Sequence, residues 1–119
     1  MNAELSSFIA SSFQSVWALE LLLLLKRERR KWSPDELVRA LRASDLVLSQ
    51  AIGALVTAGL VSADQSGVSY APSSDRVAGL VDQTEAAYAL KPDAVRRTIV
   101  MASKSGIAAF ADAFRLRKD

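Results

Sequence analysis

Five consecutive leucines, Leu21 to Leu25, constrain the fold of this chain more than any other feature. On a helix, five successive side chains point in all directions, so such a helix must be covered on most of its circumference. A membrane-spanning helix needs about 20 apolar residues, whereas Glu20 precedes this run and Lys26 and Arg27 follow it. A secretory signal carries its basic residues before the apolar stretch, not after it. We therefore expect a buried core helix and no membrane association.

The helix that contains this run is predicted to be long, because no glycine or proline interrupts residues 1–33. Its apolar side chains recur at spacings of three and four, which indicates one continuous amphipathic helix. They are Leu5, Phe8, Ile9, Phe13, Val16, Trp17, Leu21 and Leu24. Cations at positions 26–31 follow, where the helix dipole favours positive charge. Either the chain itself or a second subunit is expected to cover this helix.

Composition limits the chemistry that the chain can perform. Its 119 residues, half of them hydrophobic, suit a single domain over 1–119 with a real core. The absence of cysteine and histidine excludes disulfides, thiol catalysis and the commonest general base and metal ligand. No phosphate-binding glycine loop or nucleophile motif is present. We therefore expect no enzyme, no cofactor and no metal site, and a cysteine-free chain is compatible with the cytoplasmic location that we predict.

Two short helices are predicted between residues 33 and 59. Ser33 can cap the first of them, with Pro34 at its first position and Glu36 completing a capping box. Ser44 can cap the second helix, and Gly59 stands where a left-handed residue ends a helix.

A β-hairpin is predicted next, from two short alternating runs, 60–63 and 68–72, around the polar turn 64–67. A helix follows from residue 75, a break at 91–93 separates it from another, and the chain ends in an amphipathic helix and a charged tail. The fold class is therefore mainly α with a small β-hairpin, in which further helices follow the hairpin.

Two stretches, 32–37 and 52–61, carry a resemblance to known proteins. The first resembles the opening of the first helix of a helix-turn-helix pair, and the second is similar to the end of a recognition helix entering a wing. Over residues 16–72 the chain resembles the winged helix-turn-helix of bacterial transcription regulators such as the MarR, PadR and GntR groups. The resemblance implies a winged-helix core at about 12–72, with terminal helices for packing or dimerisation, and a DNA-binding regulator as the function.

The resemblance also implies which residues touch double-stranded DNA. A helical projection of residues 45–58 places one set on the core side: Val47, Leu48, Ala51, Ile52, Ala54, Leu55 and Ala58. The opposite side would face the major groove, with these expected base contacts: Ser49, Gln50, Gly53 and Thr57.

Phosphate contacts must come from elsewhere, because neither that outward side nor the turn 64–67 carries a lysine or arginine. The net charge of +2 is too small to indicate nucleic-acid binding by itself, so the positions of the charged residues must be considered. The expected phosphate contacts are Arg39, Arg42, Arg29, Arg30 and Lys31.

Such regulators usually bind DNA as symmetric dimers, so a homodimer is expected. Its interface is predicted from both terminal segments and comprises Leu5, Phe8, Ile9, Phe13, Ile107, Phe110 and Phe114. An alternative is a winged-helix module that binds a protein partner and does not bind DNA productively. The neutral to apolar outer side of the third helix, with Leu46, Gly53 and Val56, favours that alternative.

Overall fold

The computed structural model describes residues 2–102 and consists mainly of helices with one small antiparallel sheet, so the predicted mainly α class with a small β-hairpin is confirmed. The elements in chain order are helices α1 (Ala3–Ser12), α2 (Val16–Arg27), α3 (Pro34–Leu41) and α4 (Asp45–Thr57), strands β1 (Val61–Asp64) and β2 (Gly67–Tyr70), helix α5 (Asp75–Leu90), and helix α6 over residues 92–102.

The prediction of one continuous N-terminal helix is wrong, because a sharp corner of 101° separates α1 from α2. Phe13 has extended backbone at this corner, and the Ser15 hydroxyl accepts the backbone N–H of Ala18 to begin α2. The corner directs the Phe13 side chain into the core, where it is 2% exposed. Each of the two helices therefore buries its own apolar stripe.

Helix α2 lies at the centre of the core and packs against α4 and β2. Five of its six leucines are fully buried and Leu24 is half-buried. Leu37 of α3, Leu55 of α4 and Ile99 of α6 belong to the same cluster. The chain itself therefore covers the leucine run, without a second subunit.

No single helix among residues 2–102 has both the length and the apolar composition of a membrane span. Helices α1 and α2 meet that test by length and composition only as a pair, and the pair is bent at the corner.

The predicted boundaries of the two short helices are confirmed. Ser33 and Glu36 form both hydrogen bonds of the capping box of α3, and Ser44 caps α4 through the backbone N–H of Val47. Arg42 ends α3 in the left-handed region at φ 53°, so the turn into α4 is short. Gly59 follows α4 at φ 76°, as expected for a glycine after a helix end.

The hairpin is attached to the helices through Trp32. Strands β1 and β2 pair in register from Val61 with Tyr70 to Asp64 with Gly67. Outside these strands, Trp32 and Val68 exchange two backbone hydrogen bonds of 2.8 Å each. The segment between α2 and α3 is thus joined to the outer edge of β2.

Helices α5 and α6 cover the remaining side of the core. Ser74 caps α5, and the predicted break before residue 92 is confirmed. Helix α5 packs on α1, and its Tyr88 hydroxyl donates a hydrogen bond to the Glu20 carboxylate of α2. This bond connects α5 to the central helix through partly buried side chains.

Two glycines provide a matched test of the attachment through Trp32. Gly67 has φ 134°, and a Cβ there would lie 2.8 Å from the Trp32 carbonyl oxygen. Gly79 lies inside α5, and a Cβ there meets nothing within 4 Å. We expect Gly67→Ala to lower the free energy of unfolding by about 1–3 kcal/mol, because backbone must move. Gly79→Ala should raise it by about 0.5–1 kcal/mol. Urea denaturation of both variants checks this, and an unchanged stability of Gly67→Ala would contradict the contact.

Candidate nucleic-acid interface

The side of α4 that faces away from α2 carries the predicted base contacts. Ser49, Gln50, Gly53 and Thr57 are all exposed, so the projection placed them correctly on the outer side. The Thr57 hydroxyl donates a hydrogen bond of 3.0 Å to the Gly53 carbonyl, which leaves its oxygen lone pairs to accept another.

These four exposed residues do not all line the same cavity. Gln50, Gly53 and Thr57 line a groove of ≈ 680 Å³ whose opposite wall is the end of α1, with Ser11 and Ser12. Ser49 lies apart from them, in a small pocket of ≈ 210 Å³ that is also lined by Pro34, Asp45, Leu48 and Ile52. The structure thus brings three of the predicted base contacts together and separates the fourth.

Exposed apolar side chains surround the same residues. Leu46 is 67% exposed and Val56 is 43% exposed. Val47 was expected in the core, but this prediction is wrong, because the side chain is 38% exposed. It lines a pocket of ≈ 310 Å³ together with Trp17, which is 42% exposed. The first turn of α4 therefore lies partly outside the core that the projection assigned to it.

Arg30 is held by contacts within the chain. Its guanidinium stacks 3.6 Å from the centre of the Trp32 ring and pairs with the Glu36 carboxylate at 3.1 Å. The backbone N–H of Ser33, followed by Arg30, lowers the pKa of Glu36 to about 2. Arg30 therefore orients the start of α3 rather than standing free for a phosphate.

The neighbouring cations are engaged in the same way. Lys31 contacts the Asp64 carboxylate at 3.5 Å and the Ser66 hydroxyl, both in the hairpin turn. Arg29 lies over the Tyr70 ring at 5.3 Å and donates to the Lys26 carbonyl at 3.2 Å. Three of the five predicted phosphate contacts thus bind the hairpin and α3 to the end of α2.

Arg39 and Arg42 differ from that group. Both are exposed at α3, and neither forms an ion pair with any residue between 2 and 102. Since both guanidinium groups face solvent beside the turn into α4, they are the predicted phosphate contacts that the described structure leaves most available.

A partly buried charge cluster behind the hairpin was not found by sequence reasoning. The Lys26 ammonium lies 2.7 Å from Glu85 and 3.1 Å from Asp82, and its side chain is only 13% exposed. The hydrogen bond between Lys26 and Glu85 raises the pKa of the lysine and lowers the pKa of the carboxyl. Lys26 and Glu85 are 59 residues apart in the sequence, so no local pattern predicts that they pair.

The predicted dimer contacts fall into two groups. Leu5, Ile9 and Phe13 are buried within a single chain, so the structure assigns them to its core, and Phe8 is half-buried against them. The other predicted contacts lie outside the described residues, and they are Ile107, Phe110 and Phe114.

Comparison of the chain with protein-family models, with curated proteins and with solved structures found no match. Within residues 2–102, no group of three or more acidic side chains is placed to hold a metal ion. The geometry of α3, α4 and the hairpin is therefore the basis for assigning a function.

The Lys26 cluster predicts how stability depends on pH. The folded-state pKa of Glu85 lies below its ordinary value of 4.5, so its contribution is present above that pH and is lost as the pH falls. We expect Glu85→Gln to cost about 1–3 kcal/mol at pH 7, and the difference from the parent to shrink below pH 4.5. Asp82→Asn is the matched control, with a smaller effect because Asp82 is 64% exposed. Chemical denaturation across pH measures both, and equal losses would contradict this assignment.

Proposed function

We propose that this chain is a DNA-binding transcription regulator of the winged helix-turn-helix type. One observation carries the proposal. Helices α3 and α4 are joined by a short turn, and α4 packs one side against α2 while its other side is exposed. The backbone pairing of Trp32 with Val68 attaches the hairpin to the segment that precedes α3. Helix pairs of this kind insert their second helix into the major groove while the first crosses the DNA backbone.

Residues at the start and middle of α4 supply the base contacts in this proposal. Gln50 has the amide that pairs with adenine in the major groove, and the Ser49 hydroxyl can donate to or accept from either base. Both side chains are exposed, whereas the preceding Leu48 faces the core. The apolar Leu46 and Val56 beside them suit contact with thymine methyl groups.

Arg39 and Arg42 supply the phosphate contacts. They are exposed on the helix that would cross the backbone and carry no ion pair among residues 2–102. The cations Arg29, Arg30 and Lys31 support the hairpin and α3 instead. Because few phosphates are then neutralised, affinity should depend on salt less steeply than in strongly basic regulators.

A homodimer remains part of the proposal, with its contacts on other surfaces. Side chains buried in one chain cannot also contact a second copy, so Leu5, Ile9 and Phe13 do not contribute. Exposed apolar side chains on α6 are available, namely Val100 and Met101. A regulator of this type works in the cytoplasm, where we place the protein.

The salt dependence of DNA binding tests the phosphate contacts. We expect the Arg39→Gln and Arg42→Gln double variant to bind every duplex more weakly and to lower the slope of log K against log salt by about 1.8. Fluorescence anisotropy with a random-sequence duplex at several salt concentrations measures the slope. Glutamine keeps most of the length of each side chain without its charge.

Arg97→Gln is the matched control, because Arg97 is an exposed arginine of α6 and belongs to neither α3 nor α4. It should leave the slope unchanged. If the double variant keeps the parental affinity and slope, Arg39 and Arg42 do not contact phosphates. If neither the parent nor the parent with Phe110→Glu and Phe114→Glu shows salt-dependent binding, the proposed function is wrong.

The exposed apolar residues of α4 favour a second candidate, a winged-helix module that binds a protein partner. Leu46 and Val56 are large and exposed on the side that carries no lysine or arginine. Apolar residues without neighbouring cations are typical of the centre of a protein interface.

Leu46→Ser distinguishes the two candidates, since it removes apolar area without adding charge. For a protein-binding module we expect the loss of a stoichiometric partner in affinity purification, by about tenfold or more in yield. Leu90→Ser, at an 82% exposed residue at the end of α5, is the control and should retain the partner. Salt-sensitive DNA binding without any partner would reject this second candidate.

A further inference from the structure

Three adjoining cavities form a groove between α4 and the corner that joins α1 to α2. Their volumes are ≈ 680, ≈ 310 and ≈ 320 Å³, and Gln14 lines all three. The first two also share Gln50 and Ala54 of α4, so they continue along that helix. We call this continuous surface the corner groove.

The lining of the corner groove is uncharged. Small residues form its middle, with Gly53, Ala54 and Ala58 at α4 facing Ser11 and Ser12 on α1. A Cβ at Gly53 would meet nothing within 4 Å, which shows how open this part is. The groove ends at the exposed side chains of Trp17 and Val47. Small residues beside exposed apolar ones suit a packed segment of polypeptide better than an anion, which would require a cation.

The chain leaves the described structure at the opposite end of this groove. Ala102, the last described residue, lines the third cavity together with Phe13 and Gln14. Residues 103–119 therefore start beside the groove and need no linker to reach it.

We propose that residues 103–119 of the same chain dock as a helix in the corner groove. Ile107, Phe110 and Phe114 recur at spacings of three and four, so they share one side of such a helix. Residues 103–114 would span about 18 Å at roughly 1.5 Å per residue, and the stretch of α4 from Val47 to Thr57 spans about 15 Å. The length of the segment thus matches the length of the groove.

Charge favours the same occupant and sets its direction. Residues 105–114 carry a single charge, Asp112, which suits the uncharged middle of the groove. The cations Arg115, Arg117 and Lys118 follow. A segment that runs from Ala102 toward Val47 brings them near Asp45, which is exposed and forms no ion pair within residues 2–102.

The docked segment has a regulatory consequence, which rests on the proposed function. It covers Gln50, Gly53 and Thr57, three of the proposed base contacts, and leaves Ser49 outside. DNA and the C-terminal segment therefore compete for one side of α4, so the segment is an autoinhibitory element.

The absence of native cysteine allows a direct test by thiol labelling in the full chain without DNA. Gln50→Cys places a thiol inside the corner groove, and Ser49→Cys places one outside it on the same helix. In the Gln50→Cys chain, we expect the added substitutions Phe110→Glu and Phe114→Glu to speed maleimide labelling about tenfold, because the docked segment is released.

Two controls accompany this experiment. Ser105→Glu and Ala109→Glu add the same charges with the same spacing on the other side of the predicted helix, and should leave the labelling rate of the Gln50→Cys chain unchanged. The Ser49→Cys chain should react at one rate with either pair of substitutions. Circular dichroism of each chain checks that residues 2–102 keep their fold.

Three outcomes would overturn the docking proposal. The first is a Gln50→Cys chain that, without further substitutions, already reacts as fast as the Ser49→Cys chain. The second is a Gln50→Cys labelling rate that Phe110→Glu and Phe114→Glu leave unchanged. The third is protection that disappears on dilution while light scattering shows dissociation of a dimer, which would assign the groove to the segment of a second copy.

The labelling experiment and the DNA titration fail independently of each other. Because labelling uses no DNA, its failure leaves the proposed function standing. Salt-insensitive anisotropy of the chain that carries Phe110→Glu and Phe114→Glu, in which the docked segment is released, would in turn reject the proposed function and leave the docking of residues 103–119 intact.

Discussion

Burial of five leucines of α2, Leu19, Leu21, Leu22, Leu23 and Leu25, is the constraint on which the rest of the structure depends. Each fully buried leucine contributes about 1.5–3 kcal/mol relative to an exposed one, so leaving one side of this helix open would be costly. Helix α4 and strand β2 pack directly on α2, and apolar side chains from α3, α5 and α6 join the same core. The positions of α3, α4 and the hairpin are thus set by their packing around one apolar helix, α2.

The charges that follow the leucine run have a structural role as well. Lys26 pairs with α5, Arg30 with the start of α3, and Lys31 with the hairpin turn. Three elements around α2 are therefore also tied to its C-terminal end. A consequence is that most of the basic run pairs with neighbouring elements, so the proposed phosphate contacts depend on Arg39 and Arg42 instead.

Local signals in the sequence predicted the boundaries of α3 and α4 and the hairpin, because capping serines, Pro34 and Gly59 act on neighbouring backbone. They did not predict the corner before α2, since Ser15 lies within an unbroken apolar periodicity that reads as one helix. The groove between that corner and α4 was missed for the same reason. The outer residues of α4 followed from helical periodicity, whereas the ion pair of Lys26 with Glu85 depends on tertiary packing, which no short stretch encodes.

Trp32 connects parts of the molecule that local sequence treats as separate. Its backbone exchanges two hydrogen bonds with Val68, its indole N–H donates to the Glu28 carbonyl, and the next residue, Ser33, caps α3. A tilt of the hairpin must therefore displace the first turn of α3, and with it the direction in which that helix approaches α4. The hairpin and the start of α3 are thus connected through one short segment, so we expect a contact made at the hairpin tip to alter the orientation of the helix pair.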